Sequence, residues 1–299
     1  MIRNILFIAV ALVLVFVTQS ACAKTVGVIM TADIEYYRNI HKAFTDEVGK
    51  DVEIVLQKPT ADPISWTNAV RKLTGIGASV IVCYGAPATL TAMKETSDIP
   101  IIFAGVYDPA SMNILGKNAT GVASTVPVDS IIKALNDIKK ISKLGVIFSK
   151  SEKDTIIQVR DIKKSEGAMG FQSVLISVSE QVNKDEIKGV DALFVTTCGV
   201  CMSGIKVIVE AARRDKIPTA AMMGGGEDEG ITLTLSADPK EQGLAAAEMV
   251  KKVLAGAKPG ELKVKQPNSI KTIVNLKEAK ALGLNVPAAV SGVADKVIQ

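Results

Sequence analysis

The stretch LGVIFSKSEKDT, residues 144–155, restarts a pattern with which the chain begins. Its apolar run predicts a buried strand, and apolar residues at helical spacing follow over 156–164. The same order appears at TVGVIM, residues 25–30, before an apolar helical face that contains Phe44. Continuous apolar strands joined by helices are typical of parallel sheets covered on both faces. A restart midway predicts two doubly wound α/β lobes rather than one closed barrel.

Further strands and helices fill both halves of this pattern. One predicted helix begins at Asp62-Pro63 and another at Asp238-Pro239, each with a carboxylate N-cap and a proline in the first turn. In the second, Glu241 predicts a capping-box-like contact and Gly256 the end of the helix. The other predicted strands lie at 51–57, 79–85, 100–106, 171–179, 191–197 and 218–224.

The first 23 residues have the order of a secretory signal peptide. Arg3 precedes thirteen apolar residues, and Ala21 and Ala23 fit a small-residue cleavage site. We expect segment 1–23 to be removed and the protein to act in the periplasm or otherwise outside the cytoplasm. The alternative is a lipid anchor on Cys22, but Gln19 fits such a site poorly.

The composition excludes several classes of function. Lys and Arg number 35 against 31 Asp and Glu, and no basic cluster or aromatic platform accompanies them, so we expect no nucleic-acid partner. No nucleophile elbow, HExxH motif, Walker loop or carboxylate pair at a useful spacing appears, so we expect neither an enzyme nor a cofactor. The few cysteines indicate a fold held by its core rather than by a disulfide framework.

Cys198 and Cys201 leave three interpretations open. A CxxC pair ahead of a helix is compatible with thiol redox chemistry. Together with Cys83 and the methionines at strand ends, the pair also suits a thiophilic ion such as Cu(I). The third interpretation makes them apolar pocket wall, with the two sulfurs possible partners in a disulfide. We favour the pocket wall.

Five blocks in order resemble the exported substrate-binding proteins of ABC importers, in the branch that includes tryptophan and tyrosine binders. The blocks include IPIIFAGVYDPASMNIL (99–115), NATGVAS (118–124), LGVIFSKSEKDT (144–155) and VNLKEAKALGLNVP (274–287). The resemblance implies a hinged, two-lobed fold of periplasmic binding protein type I, acting as a monomer that passes a solute to an ABC permease. It further implies three interlobe crossings, which places lobe one at 24–140 plus 238–262 and lobe two at 141–237 plus 263–299.

The resemblance also shows where this chain departs from the family. A Thr-Pro-Ala turn is Ala86-Pro87-Ala88 here, and a turn that carries an aspartate in the family has Cys198 in its place. A Gly-Asp-Glu-Gly turn corresponds to residues 222–225, without charge. These losses argue against a free amino acid as the ligand, because an unpaired buried ammonium costs several kcal/mol.

Ligands of such sheets bind beyond the carboxyl ends of the strands. The predicted function is therefore capture of a small organic solute, amino-acid-like or aromatic, between the lobes. The alternatives are a thiophilic-metal or thiol-redox protein using Cys198 and Cys201, and a sensory binding protein that docks on a receptor. The predicted ligand-binding residues are Thr31, Tyr84, Asp108, Thr120, Ser149, Thr197, Cys198 and Met223.

Overall fold

The computed structural model describes residues 24–116 and 118–299, which form two α/β lobes. The first sheet has five strands in the order β2-β1-β3-β4-β5, all parallel. The central strands β3 and β4 are buried on both faces because helices cover both sides, as their continuous apolar runs predict, whereas the edge strand β2 is only partly buried. Its strands are β1 (Lys24–Met30), β2 (Val52–Gln57), β3 (Val80–Tyr84), β4 (Ile101–Val106) and β5 (Ala119–Ala123), and the connecting helices are α1 (Glu35–Val48), α2 (Pro63–Gly75) and α3 (Ala86–Glu95).

The second sheet has seven strands in the order β12-β11-β10-β9-β8-β6-β7. All neighbouring pairs are parallel except β10 and β11, which run antiparallel. The strands are β6 (Lys143–Phe148), β7 (Gln172–Ser177), β8 (Ala192–Val195), β9 (Thr219–Ala221), β10 (Leu233–Ala237), β11 (Ile270–Asn275) and β12 (Lys296–Ile298). The predicted fold class, two doubly wound lobes, is confirmed.

The remaining helices attach to one sheet or the other. They are α4 (Val128–Ile138), α5 (Lys153–Met169), α6 (Gly199–Ser203), α7 (Ile205–Asp215), α8 (Pro239–Leu254), α9 (Leu276–Ala281) and α10 (Ala288–Ser291), with 3₁₀ turns at Lys184–Glu186 and Pro259–Glu261. Helix α8 packs on α1, β4 and β5 of the first sheet, although β10 before it belongs to the second.

Helix α4 lies with the second sheet, although the predicted division at residue 140 assigns it to lobe one. It packs against α5, β9, β10 and α10, and its apolar face enters the same core cluster as Phe148 and Phe194. The chain thus leaves the first sheet directly after β5, near residues 124–127, and α4 is the first element on the other side.

The predicted caps of α8 hold in part. Asp238 Oδ1 accepts a hydrogen bond from Lys240 N at 2.8 Å. Gly256 follows the helix with φ +105°, a left-handed backbone that glycine adopts without strain. Glu241 does not complete a capping box. Its carboxylate instead accepts hydrogen bonds from Asn268 N and Ser269 N, at 2.8 and 2.9 Å. It therefore ties α8 to the last segment that crosses between the lobes.

Candidate functional site

The carboxyl ends of the two sheets meet face to face, and the lobes are in contact there. Thr31 and Ala32 follow β1, and Gly199 is the first residue of α6, just after β8. A Cβ atom built on Gly199 would lie 3.3 Å from Ala32 Cβ and 3.5 Å from Thr31 Cγ2. These distances are ordinary packing or closer, so the two halves of the cleft are closed on each other.

Lobe one contributes a wall fixed by backbone hydrogen bonds. Thr31 N donates to Tyr84 O at 2.9 Å, and Thr31 Oγ1 accepts from Ala88 N at 3.3 Å, in the first turn of α3. Trp66 Nε1 donates to Thr31 O at 2.8 Å. Three different elements therefore hold Thr31, which is fully buried.

Tyr37 completes this wall and depends on a glycine beside it. Gly85 has φ +93°, and a Cβ atom there would lie 2.4 Å from the Tyr37 hydroxyl oxygen and 2.6 Å from Thr31 Oγ1. Glycine thus satisfies both the left-handed backbone and the space that the two hydroxyls occupy. Tyr37 is 1% exposed, and its hydroxyl lies at the interlobe junction.

Lobe two contributes two buried carboxyl groups. Glu152 and Asp154, each 1% exposed, flank the start of α5 just beyond β6. Glu152 accepts hydrogen bonds from Gly199 N at 3.0 Å and Val200 N at 3.4 Å. Asp154 Oδ2 accepts from the Thr197 hydroxyl at 2.8 Å, whereas Asp154 Oδ1 is buried without a hydrogen-bond partner. We call Glu152 and Asp154 the acidic pair.

Thr197 is held in place from the far side by Gln158 of α5. Thr197 N donates to Gln158 Oε1 at 2.9 Å, and Gln158 Nε2 donates to Thr197 Oγ1. With that oxygen already accepting from Gln158, the hydroxyl proton of Thr197 is free to be given to Asp154. The network fixes the Asp154 side chain and uses one of its two oxygens.

Burial sets the ionisation of these groups. Desolvation, followed by the charge of Asp154, raises the pKa of Glu152 to about 8. Desolvation likewise raises the pKa of Asp154 to about 6, although the hydrogen bond from Thr197 lowers it. Burial, then the charges of Asp154 and Glu152, raises the pKa of Tyr37 well above its usual range. The acidic pair therefore acts electrostatically on lobe one across the junction.

The sequence prediction did not include Glu152, Asp154, Tyr37 or Gln158. A signal for the acidic pair was present, since both acids lie in SKSEKDT at the carboxyl end of a predicted strand. The sequence contains no recognisable catalytic carboxylate pair, but the turn between β6 and α5 brings these two carboxyl groups together in a buried position. The family's aspartate is replaced by Cys198 here. A carboxyl group is nevertheless present nearby, because Asp154 accepts a hydrogen bond from the adjacent Thr197.

The structure brings some predicted residues to this junction and places others in supporting roles. Thr31, Thr197 and Cys198 lie at the junction. Ser149 is buried at the end of β6, with its Oγ 2.8 Å from Ser151 Oγ. Met223 is 1% exposed in the same core cluster as Met30 and Cys198.

Three predicted residues make local structural contacts. Tyr84 contacts α1, where its hydroxyl lies 3.2 Å from His41 Nδ1. Asp108 Oδ1 accepts from Ser111 N at 3.0 Å and so caps a turn. Thr120 Oγ1 donates to Leu262 O at 2.8 Å. Their part in ligand binding stays a prediction.

Cys198 and Cys201 form a disulfide, and both are fully buried. Cys83 lies in a different core cluster with Ile29 and Leu73, and burial raises the pKa of its thiol far above the usual range. Between residues 24 and 299, with 117 set aside, no group of three His, Cys, Asp or Glu side chains could hold a metal ion. Cys83 is thus separated from the core cluster that contains Cys198, Cys201, Met30 and Met223.

Two cavities border the interlobe region. One, of about 490 Å³, is lined from lobe one by Asp33, Glu35 and Arg38, and from lobe two by residues 202–207, 224, 225 and 229. The other, of about 580 Å³, lies beside the crossing segments and is lined by Tyr107 and Asp161 among others. Of the buried polar atoms without partners in the described chain, none belongs to the residues lining either cavity.

No helix in the part of the chain that the structure describes has both the length and the apolar character needed to cross a membrane. The predicted signal peptide and Cys22 lie outside the described residues.

The comparisons with known proteins agree with this geometry. The family model of ABC transporter substrate-binding proteins matches residues 22–298. A tyrosine-binding protein of Clostridioides difficile is 26% identical over 258 residues, which are 81% of this chain and 75% of that protein.

Solved structures share the fold at low identity. A domain from Streptococcus pneumonia in complex with L-Trp has a TM-score of 0.86 at 24% identity, covering 93% of this chain and all of that one. A ligand-free, open substrate-binding protein with adhesive properties from Clostridium difficile has a TM-score of 0.67 at 22% identity, covering 92% of this chain and 99% of that one. The predicted family is therefore confirmed: the chain belongs to the ABC transporter substrate-binding proteins.

Proposed function

We propose that the protein is the exported solute-binding component of an ABC importer, which captures a small amino-acid-like solute between its lobes and delivers it to a membrane permease. The observation that carries this proposal is the closed junction between the lobes, where Thr31, Tyr37 and the acidic pair are buried. Short segments of the chain connect the two lobes. Polar groups withdrawn from water at a junction of two hinged bodies are suited to a polar guest.

The architecture supports capture by closure. Residues that close the junction come from both sheets, so a solute that contacts both favours the closed arrangement. The cavity of about 490 Å³ at the edge of the junction falls within the range of about 300–1,000 Å³ that small-molecule sites occupy. The amino-acid character of the solute is supported by a relative named as a tyrosine-binding protein and by a structurally similar domain in complex with L-Trp.

Ligand screening of the mature chain, residues 24–299, tests the proposal. Thermal shift against the twenty standard L-amino acids, common sugars and nucleobases should show stabilisation by at least one amino acid. X-ray scattering should then show a smaller radius of gyration on binding. If no compound of any class stabilises the protein, or if binding leaves the overall dimensions unchanged, capture by closure is wrong.

A wedge at the junction provides a sharper test. Gly199→Leu places a side chain against Ala32, which should hold the lobes apart and weaken solute binding by about tenfold or more, equivalent to about 1.4 kcal/mol. Gly167→Leu is the matched control, since Gly167 lies in α5 with no atom within 4 Å of an added Cβ. Equal affinities for the two variants would contradict closure at this contact.

Export and assembly have their own tests. Fractionation should find the protein outside the cytoplasm, and mass spectrometry should find Lys24 as its first residue if cleavage follows Ala23. A lipid on Cys22 would contradict that site. We expect a monomer by light scattering, and copurification with a permease in membranes that contain the importer.

A further inference from the structure

The disulfide between Cys198 and Cys201 closes the first turn of α6, at the face where the two lobes meet. Gly199 and Val200 stand between the two cysteines. A Cβ atom built on Gly199 would lie 3.3 Å from the Cβ atom of Ala32, a residue of lobe one that is 2% exposed. Lobe one therefore covers the disulfide-bonded turn directly.

The burial of this turn depends on both lobes. Cys198 and Cys201 belong to a core cluster that also contains Ala32 of lobe one. Elsewhere in the same turn, Val200 is only partly buried and Ser203 is exposed. The turn thus lies near the surface of lobe two, and separation of the lobes removes part of its cover.

A path to the turn exists at the edge of the junction. The cavity of about 490 Å³ is lined by Met202 and Ser203, which directly follow Cys201, and by Asp33 and Arg38 from lobe one. Because its walls come from both lobes, this cavity widens when the lobes move apart. A small molecule can then approach the disulfide from the cleft.

The turn also takes part in closure. Gly199 N and Val200 N donate hydrogen bonds to the carboxyl group of Glu152, at 3.0 and 3.4 Å. Breaking the disulfide adds a hydrogen to each sulfur and lets the two sulfurs separate. Since protein interiors are close-packed, the turn must shift to make room. The shift disturbs the contact with Ala32, so the reduced protein closes less readily.

We propose that the Cys198–Cys201 disulfide is a thiol–disulfide exchange site, which a small dithiol reduces when the lobes are apart, and that its redox state sets how readily the lobes close. This inference goes beyond solute capture, because it requires only that the lobes separate. Since reduction disfavours the closed arrangement, a solute that favours closure must stabilise the disulfide against reduction to the same extent.

The exchange transfers two electrons from the dithiol to the protein. A thiolate of the dithiol attacks one cysteine sulfur, which breaks the protein disulfide and forms a mixed disulfide. The second thiol of the reductant then attacks the mixed disulfide, and the reductant leaves as a cyclic disulfide. Two protons pass from the thiols of the reductant to the two cysteine sulfurs.

The arrangement of the two cysteines selects a dithiol over a monothiol. After a monothiol has formed the mixed disulfide, the other cysteine is held three residues away in the same turn. Its attack is intramolecular and therefore fast, so it expels the monothiol and restores the protein disulfide. Only a reductant with its own second thiol competes with this reversal.

The test compares two sites in the mature chain, residues 24–299, whose cysteines are Cys83, Cys198 and Cys201. The rate of disulfide reduction by dithiothreitol and the rate of Cys83 alkylation by N-ethylmaleimide are each measured by mass spectrometry, near neutral pH. Each rate is divided into the rate for the urea-unfolded chain, which gives a protection factor. Cys83 is fully buried in a separate core, so its protection reports unfolding.

The disulfide should be protected at least about tenfold less than Cys83, which corresponds to about 1.4 kcal/mol between lobe opening and unfolding. Equal protection would mean that the disulfide is reached only by unfolding, and would overturn the proposal. Reduction by 2-mercaptoethanol as complete as that by dithiothreitol, at the same thiol concentration, would contradict the dithiol class.

A wedge from lobe one separates opening from unfolding. Ala32→Leu places a larger side chain against Gly199 and should hold the lobes apart, which lowers the protection of the disulfide relative to that of Cys83 by about tenfold. Ala168→Leu, on the exposed surface of α5, is the matched control and should keep the wild-type ratio. The same ratio in both variants would contradict uncovering of the disulfide by opening.

The coupling to closure is measured by calorimetry with L-tyrosine and L-tryptophan as probes. A probe that binds the oxidised protein should bind the dithiothreitol-reduced protein about fivefold or more weakly. Equal affinities would show that the redox state does not control closure, while solute capture would stand. If no compound binds the oxidised protein, solute capture is wrong, and the protection ratios still decide whether the disulfide is an exchange site.

Discussion

The sharpest stability prediction concerns Gly243, in the interior of α8. Helix propensity alone makes Gly→Ala favourable by about 1 kcal/mol in a helix interior. At Gly243, however, an added Cβ would lie 2.3 Å from Ile40 O, 2.7 Å from Ala43 Cβ and 2.8 Å from Phe44 N of α1. Two of these are backbone atoms that no rotamer change can move away, so α8 must shift from α1.

The shift has a second cost at Gln242, the residue before Gly243. Its side chain accepts from Gly105 N at 2.9 Å and donates to Ala123 O at 2.8 Å, both buried at the first sheet. Overpacking costs about 1–3 kcal/mol, and each buried group left without its partner about 1–3 more. After the gain in propensity, and with both Gln242 bonds weakened, we expect Gly243→Ala to destabilise the protein by at least about 2 kcal/mol.

Thermal unfolding of the ligand-free mature chain measures this, since about 1 kcal/mol corresponds to about 2–4 °C in a chain of this size class. Gly243→Ala should lower the midpoint by about 4 °C or more. Gly167→Ala, in the exposed interior of α5 with no atom within 4 Å, should raise it slightly. A Gly243→Ala protein that unfolds at or above the wild-type temperature would refute the close packing of α8 on α1.

Three further changes test other parts of the structure. The folded-state pKa values of Glu152 and Asp154 lie above their ordinary values of 4.5 and 3.8, so the contribution of the two groups to folding stability is fully present at low pH and is lost as pH rises to about 8. In thermal scans, the ligand-free wild type should therefore lose stability relative to Glu152→Gln between about pH 5 and 8. Glu278→Gln should cost about 1–3 kcal/mol in urea unfolding because it removes the charge from a buried, two-bond pair with Arg213. Asp62→Ala should cost about 0.5–2 kcal/mol by the same measurement, through loss of the N-cap of α2.

Each of these has an outcome that contradicts it. Parallel pH profiles for wild type and Glu152→Gln would mean that the acidic pair is hydrated. For Glu278→Gln the control is Asp46→Asn, whose partner Lys42 is exposed and whose pair is worth about 0.2–1 kcal/mol. Equal costs for the two would show that burial adds nothing to the Glu278 contact. An unchanged urea midpoint for Asp62→Ala would mean that solvent caps α2 equally well.

Much of the fold was predictable because it depends on local periodicity. The apolar runs at 25–30 and 144–148 form strands that are buried on both faces, as continuous apolar runs predict. The cap at Asp238 was likewise readable, since an N-cap contact spans two residues. Glu241 had the correct spacing for a capping box, but a segment 27 residues later binds its carboxylate instead.

The candidate site was less predictable because its contacts join distant segments. Thr31 and Thr197 could be selected as strand-end residues, and both lie at the junction. Tyr37 could not, because its hydroxyl reaches the junction through the space left by Gly85. Asp154 resembles an ordinary first-turn acid of a helix until its burial is known.

The sequence by itself determined the two-lobed α/β architecture and the family, because strand and helix periods and ordered motifs are properties of the linear chain. Only the tertiary structure decided that α4 packs with the second sheet, that Cys198 pairs with Cys201, and that Glu152 and Asp154 are buried together. The physical reason is that burial and electrostatic coupling depend on which surfaces meet. The position of a carboxylate in the sequence is the same whether its side chain faces water or the other lobe. Its pKa and its need for a neighbouring cation differ entirely between those two environments.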